Sequence, residues 1–454
     1  MSKLSSLLPK LILPEGGALV HERLAEALAA AIHDGRYKAG DRLPTHRELS
    51  RHAGVSIGSV TRAIDLLTRR GLVRGEVGRG TFVNALQASG ASGLPIDLTI
   101  NMPPPVIDEA VFADAMHDAL SHALRIPLAG YADFRGTDAQ RQVMADWLSA
   151  DRLKVSADDI LLTVGGQQAV HLAFADIKDR SPVILTEAAT FSGAIVAAAN
   201  LGVRFDTVDH DADGMRPDDL ERAIRATGAR AIYTVPVCQN PFGFEMSEAR
   251  RRDILRVCER HDVMIVEDDI YGVYAFKQSA TYKALAPERV YYLTSLSKCL
   301  TPLVRSGVLV PPPDRRAVLT QRIRAEVWGA APVAIETGCA LVRNGAADTA
   351  RTRLRQEARA RVQLSAEILG LREVAMPEGA PHIWLPMPAL EAERLARRSA
   401  ENGVRVTPPD STFVKGDKAW GVRLCIMAPT QRQDVQQALK IVAELMRTPD
   451  EVSI

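Results

Sequence analysis

One lysine of the chain stands at the end of an apolar run, with hydroxyl and basic side chains around it in the sequence. The stretch YYLTSLSKCLTPLVRSG, residues 291–307, places Lys298 after Ser295 and Ser297 and before Arg305. A lysine amine that lies away from a solvated helix face can act as a nucleophile toward an aldehyde carbon. An arginine with two hydroxyls suits an anionic group such as a phosphate. The stretch therefore predicts a covalent anchor beside an anion site.

Other small or polar residues follow the apolar runs that precede Lys298 in the chain. They are Gly166, Gln167, Phe191, Asn240, Asp268 and Tyr271. Ligands of open α/β sheets bind outside the carboxyl ends of the strands, so we expect these side chains to meet. Small residues at a helix N-terminus favour a phosphate, because free N–H groups and the helix dipole attract an anion there. Together with the lysine, and with an acid that can hold a ring nitrogen, they predict pyridoxal 5′-phosphate (PLP) as the cofactor.

The elements that must position these residues are strands and helices in alternation from residue 98 to residue 310. SPVILTE, VMIVEDD and RVYYLTS indicate strands, and QQAVHLAFADI indicates a helix. Repeated βα units with nearly continuous apolar strands favour a buried, mostly parallel sheet. From about residue 311 to 450 the pattern is mostly helical, with strands near 382–387 and 421–427. The fold class predicted for this part is α/β, with a large sheet domain and a smaller α+β lobe.

Residues 1–84 predict a separate domain of another kind. The apolar positions of residues 19–34 share one face of a helix, and Thr45 with Glu48 forms a capping box at the start of a second helix. Ser56 is placed to cap a third helix, and LVRGEVGRGTFV predicts two short strands joined by a glycine-rich turn. These elements make a winged helix-turn-helix, for which double-stranded DNA is the expected partner.

The charge distribution separates the same two parts of the chain. Residues 1–85 hold 13 Lys and Arg against 8 Asp and Glu, although the whole chain has a formal net charge of only +1. A basic segment on a mildly acidic body suits nucleic acid binding. Residues 85–96 are small, polar and aperiodic, which predicts a flexible linker. Residues 97–450 then form the second domain.

The composition limits the remaining function classes. The chain has 454 residues, of which 46% are hydrophobic and 24% charged, as is ordinary for globular proteins. We expect neither a secretory signal peptide nor a membrane span, since apolar runs of the required length are missing from the sequence. The five cysteines are far apart without a CxxC pair, and the ten histidines lack ligand spacing. A reduced, cytoplasmic protein without a metal site is therefore expected.

The first part of the chain resembles the GntR family of DNA-binding domains. DGRYKAGDRLPTHRELS, GVSIGSVTRAIDLLTRRGLV and GRGTFV match the family pattern along nearly its whole length. The resemblance implies that the helices beginning at Thr45 and Ser56 address the major groove, and that the wing approaches the minor groove. The implied DNA contacts are Thr45, Arg47, Ser56, Ser59, Thr61, Arg62 and Arg79. At Ile57 and Gly58 the chain departs from the family, which often has Arg and Thr there, so a different operator sequence is expected.

The second part resembles a class I aminotransferase of PLP fold type I. SLSKCLTPLVRSG matches the lysine motif of that family, which implies Lys298 as the Schiff-base lysine. QNPFG and EDDIYG imply Asn240 and Tyr271 as donors to the phenolic oxygen of the cofactor and Asp268 as the partner of its pyridine nitrogen. EAATFSG implies Phe191 as the aromatic side chain over the ring, where relatives often have Tyr. The residues implied at the phosphate are Gly166, Gln167, Ser295, Ser297 and Arg305.

A GntR-like domain followed by an aminotransferase-like domain is similar to the MocR subgroup of bacterial transcription regulators. The resemblance implies a regulator that senses PLP, or an amino compound that reacts with it. Tyr131 of YADFRG is implied at the phosphate of the other subunit, hence a homodimer, and the subgroup implies a head-to-tail dimer with exchanged DNA-binding domains. Arg423 of WGVRLCI is implied to pair with the carboxylate of a substrate or effector.

Two alternatives stay open at the level of the sequence. One is a working PLP-dependent aminotransferase that carries a DNA-binding domain, because all the implied catalytic residues are present. The other keeps the DNA-binding domain but treats the large domain as a degenerate dimerisation scaffold. Candidate effectors are PLP itself, an amino acid, a taurine-like sulfonate and a GABA-like amine.

Overall fold

The chain folds as two compact units. The first comprises the chain up to Ile96 together with Arg398–Arg405, and the second comprises Asp97–Arg397 and the chain from Val406 onward. A computed structural model describes residues 19–33, 36–37, 41–69, 72–76, 80–83, 95–124, 131, 133–277, 279–371, 377–416 and 420–448. The predicted linker lies outside the described residues apart from Pro95 and Ile96.

The described residues of the first unit up to Val83 form three helices and a two-stranded antiparallel sheet. These are α1 Val20–His33, α2 His46–Ala53, α3 Ile57–Arg69, β1 Val73–Glu76 and β2 Gly80–Val83. The capping box expected at Thr45 is present: its hydroxyl accepts the Glu48 N–H at 3.3 Å, and its own N–H donates to the Glu48 carboxylate at 2.8 Å. Gly54 ends α2 with φ +67°, a left-handed conformation that glycine adopts without strain.

The three helices and the strands of this unit share one apolar core. Leu24 of α1, Leu49 of α2 and Val60 of α3 are buried in it, and Val83 of β2 closes it. The spacing of the buried residues follows the helical period on which the prediction depended. The turn between β1 and β2, which carries Arg79, lies outside the described residues.

The second unit is built on a seven-stranded sheet. The strands and helices that follow β2 in the described residues are β3 Ile96–Leu98, α4 Glu109–Ala123, α5 Asp138–Ser149, β4 Leu161–Val164, α6 Gly165–Ile177, β5 Val183–Glu187, α7 Ser192–Leu201, β6 Arg204–Val208, β7 His210–Asp211, β8 Gly214–Met215, α8 Pro217–Thr227, β9 Ala231–Thr234, α9 Glu248–Arg260, β10 Met264–Asp268, α10 Tyr282–Leu285, β11 Val290–Ser295, β12 Ser306–Val310, α11 Arg316–Val327, α12 Pro332–Arg343, α13 Ala346–Leu369, β13 Ile383–Pro386, α14 Ala389–Glu401, β14 Val404–Val406, β15 Gly421–Leu424 and α15 Arg432–Arg447. All of them belong to the second unit except Ile96 and Arg398–Arg405, the latter range including the end of α14 and the start of β14.

The order of the large sheet is β4-β12-β11-β10-β9-β5-β6. Its strands are largely apolar and buried, apart from the terminal strand β6, where only Val208 is buried. The pairs β5–β6, β5–β9, β9–β10 and β10–β11 are parallel, whereas β12 is antiparallel to both β11 and β4. The α/β fold class with a large, mostly parallel sheet is therefore confirmed. Among the described residues, no helix is both long and apolar enough to cross a bilayer.

The reversed strand β12 decides where Arg305 lies. Because β12 is antiparallel to its neighbours, its first residues lie at the edge of the sheet where β4 and β11 end. Ser306 pairs with Val164, the last residue of β4, and Gly307 pairs with Ser295, the last residue of β11. Arg305, which precedes β12, thus lies at the same edge as the groups that follow the parallel strands.

Candidate functional site

A cavity of about 280 Å³ lies in the second unit, where β10 and β11 end. It is lined by eleven of the residues that were predicted to hold the cofactor or the effector. These are Gly166, Gln167, Phe191, Asn240, Asp268, Tyr271, Ser295, Ser297, Lys298, Arg305 and Arg423. Tyr131 does not line it; this side chain is 81% exposed, and its ring centroid is 5.3 Å from that of Trp328.

Lys298 ends a short 3₁₀ helix, Leu296–Lys298, that directly follows β11. Its amine donates a hydrogen bond to the main-chain oxygen of Asn101 at 2.5 Å. Burial lowers the pKa of the Lys298 amine, and the nearby Arg423 and Arg305 guanidinium groups lower it further. A lowered pKa increases the fraction of neutral amine, which is the nucleophilic form.

Asp268 ends β10 and is fully buried. The Tyr233 hydroxyl donates to Asp268 Oδ2 at 2.7 Å, and the Ile270 N–H donates to Oδ1 at 3.1 Å. Burial raises the pKa of the Asp268 carboxyl to about 6, although both hydrogen bonds oppose the rise. In the described part of the chain, no basic side chain forms an ion pair with this carboxylate. A cationic ring nitrogen in the cavity would supply the missing counter-charge.

An anion site is assembled at the start of α6. A Cβ on Gly165 would lie 3.1 Å from the Arg305 guanidinium carbon, so the glycine favours the close approach of that guanidinium to the helix N-terminus. The Ser295 and Ser297 hydroxyl oxygens lie 2.9 Å apart. Arg305 donates to the Val164 carbonyl at 3.2 Å and has no ion pair with any carboxylate of the described ranges. Free N–H groups, hydroxyls and a positive charge therefore converge, as a phosphate requires.

Asn101 has no motif that marks it in the sequence, yet it connects several groups of the cavity. His382 Nε2 lies 2.9 Å from the Gln239 carbonyl, which can only accept, so Nε2 carries the proton and Nδ1 accepts. Asn101 Nδ2 donates to this Nδ1 at 2.9 Å and to the Tyr271 hydroxyl oxygen at 2.8 Å. Burial lowers the pKa of His382 to about 3, which keeps the ring neutral.

This arrangement determines the direction of the Tyr271 hydroxyl. Its oxygen already accepts from Asn101, and none of the described residues accepts its proton. The proton is therefore available to a ligand in the cavity. Burial raises the pKa of Tyr271, so the hydroxyl stays a donor at neutral pH.

Arg423, in β15, is 7% exposed and faces the same cavity. Its Nη2 donates to the Thr99 carbonyl at 2.7 Å, its Nε donates to the Thr407 hydroxyl at 3.2 Å, and its Nη1 donates to Asn240 Oδ1. All three acceptors are neutral, and within the described ranges no carboxylate pairs with Arg423. Two of its five N–H groups remain for a ligand. Because Asn240 Oδ1 accepts this hydrogen bond, the orientation of the Asn240 amide is fixed, and its Nδ2 is free to donate.

Two further predicted residues complete the wall of the cavity. Phe191 directly precedes α7 and is half-buried. Gln167, in the first turn of α6, donates from Nε2 to the Gly193 carbonyl at 2.8 Å. Among the described residues, no group of three His, Cys, Asp or Glu side chains could hold a metal ion. The polar groups that line the cavity include the Lys298 amine, the Asp268 carboxylate and the Arg305 and Arg423 guanidinium groups.

The residues predicted to contact DNA belong to the first unit. Thr45, Arg47, Ser56, Thr61 and Arg62 are exposed, and Ser59 is half-buried. Ser56 caps α3, since its hydroxyl accepts the Ser59 N–H at 3.1 Å. No carboxylate of the described ranges forms an ion pair with Arg47 or Arg62. Both cations are thus available to an external anion, whereas Arg79 lies outside the described residues.

Each unit matches a family of known proteins. Residues 95–442 match the model of aminotransferase class I and II, and residues 20–83 match the model of bacterial regulatory proteins of the gntR family. The first match covers most of the second unit, including every residue that lines the cavity. Aminotransferases of this family depend on PLP.

Several known proteins are similar to this chain in sequence or in fold. YjiR of Escherichia coli K12, an uncharacterized HTH-type transcriptional regulator, is 27% identical over 325 residues, 64% of this chain and 69% of its own. The probable rhizopine catabolism regulatory protein MocR of Rhizobium meliloti is 27% identical over 331 residues, 65% of this chain and 66% of its own. The crystal structure of LysN, the α-aminoadipate aminotransferase of Thermus thermophilus, complexed with N-(5′-phosphopyridoxyl)-L-leucine, has a TM-score of 0.70 at 25% identity, over 78% of this chain and 92% of that chain. The chain belongs to the class I and II aminotransferase family and, like the MocR-type regulators, joins that fold to a helix-turn-helix domain of the gntR family.

Proposed function

We propose that this protein is a transcription regulator whose binding to DNA responds to PLP, or to an amino compound that reaches PLP, in the cavity of the second unit. One observation carries the proposal: the Lys298 amine and the buried Arg423 guanidinium line the same cavity, in a chain that also has a gntR-family domain. Such a cavity suits an aldehyde cofactor together with an anionic amine. Binding of a ligand in the cavity would change the affinity of the protein for DNA, its proposed partner. We expect the protein to act in the cytoplasm.

The side chains of the cavity fit PLP. The N–H groups at the start of α6 and the hydroxyls of Ser295 and Ser297 would hold its phosphate together with Arg305. The free Nδ2 of Asn240 and the hydroxyl proton of Tyr271 would go to its phenolic oxygen. Asp268 would bind the pyridine nitrogen of PLP, and Phe191 would cover its ring.

When bound, PLP supplies an aldehyde to which a primary amine adds and a ring that withdraws electrons. The protein's own contribution is to control protons around that group. Burial lowers the pKa of Lys298, so its amine loses a proton more easily. The buried Asp268 carboxylate, which no described cation neutralises, favours a protonated ring nitrogen opposite it. Both effects favour exchange between Lys298 and a second amine.

The effector that fits is a small amine with an anionic group, such as an amino acid or an amino sulfonate. Arg423 has neutral acceptors only, and two of its N–H groups remain for a ligand. A planar guanidinium binds a carboxylate through two parallel hydrogen bonds, and in a buried site that contact is strong. An amine without an anionic group would leave the positive charge of Arg423 without a partner.

We also propose a homodimer that reads two operator half-sites, with head-to-tail subunits and exchanged DNA-binding domains. Tyr131 supports this, because it is 81% exposed and outside the cavity of its own chain. A tyrosine in that position can serve the phosphate site of a second copy. Dimeric helix-turn-helix proteins bind half-sites about one helical turn apart, or multiples of it.

The experiment is a DNA-binding titration of the full chain with and without PLP, on duplexes selected from genomic fragments. We expect PLP, or PLP with an amino acid, to change the affinity of the wild type by about tenfold. Lys298→Ala should bind DNA without that response, and Lys277→Ala, a surface lysine, should respond as the wild type does. Equal affinities with and without PLP and amines in the wild type would contradict the sensor function.

A second candidate function is PLP-dependent transamination, which the retained polar groups of the cavity and the likeness to LysN favour. Saturable turnover of an amino acid with a 2-oxo acid, lost in Lys298→Ala, would support it. Full cofactor absorbance without turnover would favour a regulator alone. Purified protein that takes up no PLP would instead support a dimerisation scaffold.

A further inference from the structure

The outward face of α3 begins with an apolar residue. Ile57 is the first residue of this helix and is 50% exposed, whereas Val60 and Leu67 of the same helix are buried. The next residue is Gly58, and a Cβ there would have only the Ser56 hydroxyl within 4 Å, at 3.8 Å. About half of the Ile57 side chain is therefore open to solvent, and the adjacent Gly58 has no side chain to cover it.

The hydroxyl groups around Ile57 are already engaged within the first unit. The Ser56 and Ser59 hydroxyl oxygens lie 2.9 Å apart, and Ser56 also accepts the Ser59 N–H. Thr61 donates its hydroxyl to the Ile57 carbonyl at 3.1 Å, and its Oγ1 lies 3.3 Å from His46 Nδ1. The first turn of α3 therefore offers a half-exposed apolar side chain, while its hydroxyls have hydrogen-bond partners within the first unit.

A single exposed isoleucine is common on protein surfaces, so exposure alone does not indicate a function. The position of Ile57 in the fold is the informative observation. In helix-turn-helix domains the first residues of the second helix of the motif, here α3, reach base edges in the major groove. Among the four bases only thymine presents an apolar group there, its C5-methyl. We propose that Ile57 reads a thymine methyl in each operator half-site. This inference rests on the proposed DNA-binding function.

The first step of the test selects DNA from a pool of random duplexes with the full-length protein. In a selected duplex, each thymine is then replaced by uracil, which removes the methyl group but keeps the base pair. The wild type should lose about fourfold in affinity at one thymine per half-site, because a buried methyl group contributes about that much. Ile57→Ala should bind the unmodified duplex more weakly by a similar factor and should not respond to uracil at that position.

Two variants separate this result from a loss of folding. Ile57→Val should keep part of the methyl response, and Val20→Ala, a change at a 39% exposed residue of α1, should keep all of it. If no thymine methyl affects the wild type by more than about twofold, or if Ile57→Ala responds as the wild type does, the inference is wrong. Failure to select any sequence would overturn the proposed DNA-binding function and this inference together.

Discussion

The side-chain nitrogen of Asn101 lies 2.9 Å from His382 Nδ1 and 2.8 Å from the Tyr271 hydroxyl oxygen. His382 can only accept at Nδ1, because its Nε2 donates to a main-chain carbonyl. Asn101 must therefore donate to both neighbours, and the Tyr271 proton is directed elsewhere. A neutral histidine thus determines the hydrogen-bond direction at the wall of the cavity proposed to hold PLP.

We predict that Asn101→Ala raises the pKa of the PLP chromophore bound to Lys298 by about one unit. Without Asn101, the Tyr271 hydroxyl is held less well, and the ionised phenolic oxygen loses stabilisation. A pH titration of the visible absorbance measures the shift. His382→Ala should act in the same direction, and the double variant should shift no further than Asn101→Ala alone. Independent, additive shifts would show that His382 does not act through Asn101.

Asp268 should make the cofactor-free protein less stable as the pH rises. The pKa of its carboxyl is raised from the ordinary 3.8 to about 6, so between these values the folded state binds more protons than the unfolded state. The free energy of unfolding then falls with rising pH across that window. We expect Asp268→Asn to be about 2–3 kcal/mol more stable than the wild type near pH 8, and equally stable near pH 4.

Urea unfolding of the two cofactor-free proteins measures this difference. The same substitution should weaken PLP binding, because an amide cannot balance a protonated ring nitrogen. Asp158→Asn, at a carboxylate that is 81% exposed, is the matched control and should change neither property. A stability gain that is independent of pH would contradict the assignment to Asp268.

Arg423→Met should separate effector binding from cofactor binding. We expect affinity for an amino acid to fall about a hundredfold, because the substitution removes the bidentate contact to its carboxylate. PLP uptake, measured by absorbance, should persist. Arg405→Met, at an exposed arginine of β14, serves as control. An unchanged response to amino acids in Arg423→Met would exclude this residue as the anion site.

Loss of the capping box at α2 should weaken the first unit only. Thr45→Ala removes a side-chain acceptor from the Glu48 N–H and should cost about 1 kcal/mol. Hydrogen exchange of α2 amides in the full chain measures this, and Thr45→Ser should restore protection. Faster exchange in the strands of the large sheet would show that the effect is not local.

Arg47 and Arg62 should account for part of the salt dependence of DNA binding. Both are exposed, and no described carboxylate pairs with either. Replacing one by Met should reduce the slope of log affinity against log salt by about 1, if that residue contacts a phosphate. Arg180→Met, at an exposed arginine of the second unit, should leave the slope unchanged.

The local signals of the first unit were sufficient to predict its helices. A threonine, a glutamate three residues later and a glycine at the end define α2, because caps depend only on neighbouring residues. The direction of β12 was not predictable in this way. Whether SGVLV runs with or against its neighbours depends on its pairing with β11 and β4, which are distant in sequence.

The residues of the cavity also differ in whether the nearby sequence was sufficient to predict them. Residues that belong to short motifs, such as Lys298 and Asp268, were predicted, and the structure brings them together. Asn101 was missed because its partner Lys298 is 197 positions away. Tyr233 was missed because it lies inside an apolar strand, where a tyrosine indicates packing rather than a bond to Asp268.

The stretch from Thr99 to Asn101 contacts both ends of the proposed ligand site. Its Thr99 carbonyl holds Arg423, and its Asn101 carbonyl holds Lys298. The same stretch begins three residues after Ile96, where the chain arrives from the DNA-binding unit. A molecule that draws Lys298 or Arg423 away from these carbonyls acts on main chain that is continuous with the linker. Release of these carbonyls would therefore change the hydrogen bonding of the first residues of the second unit.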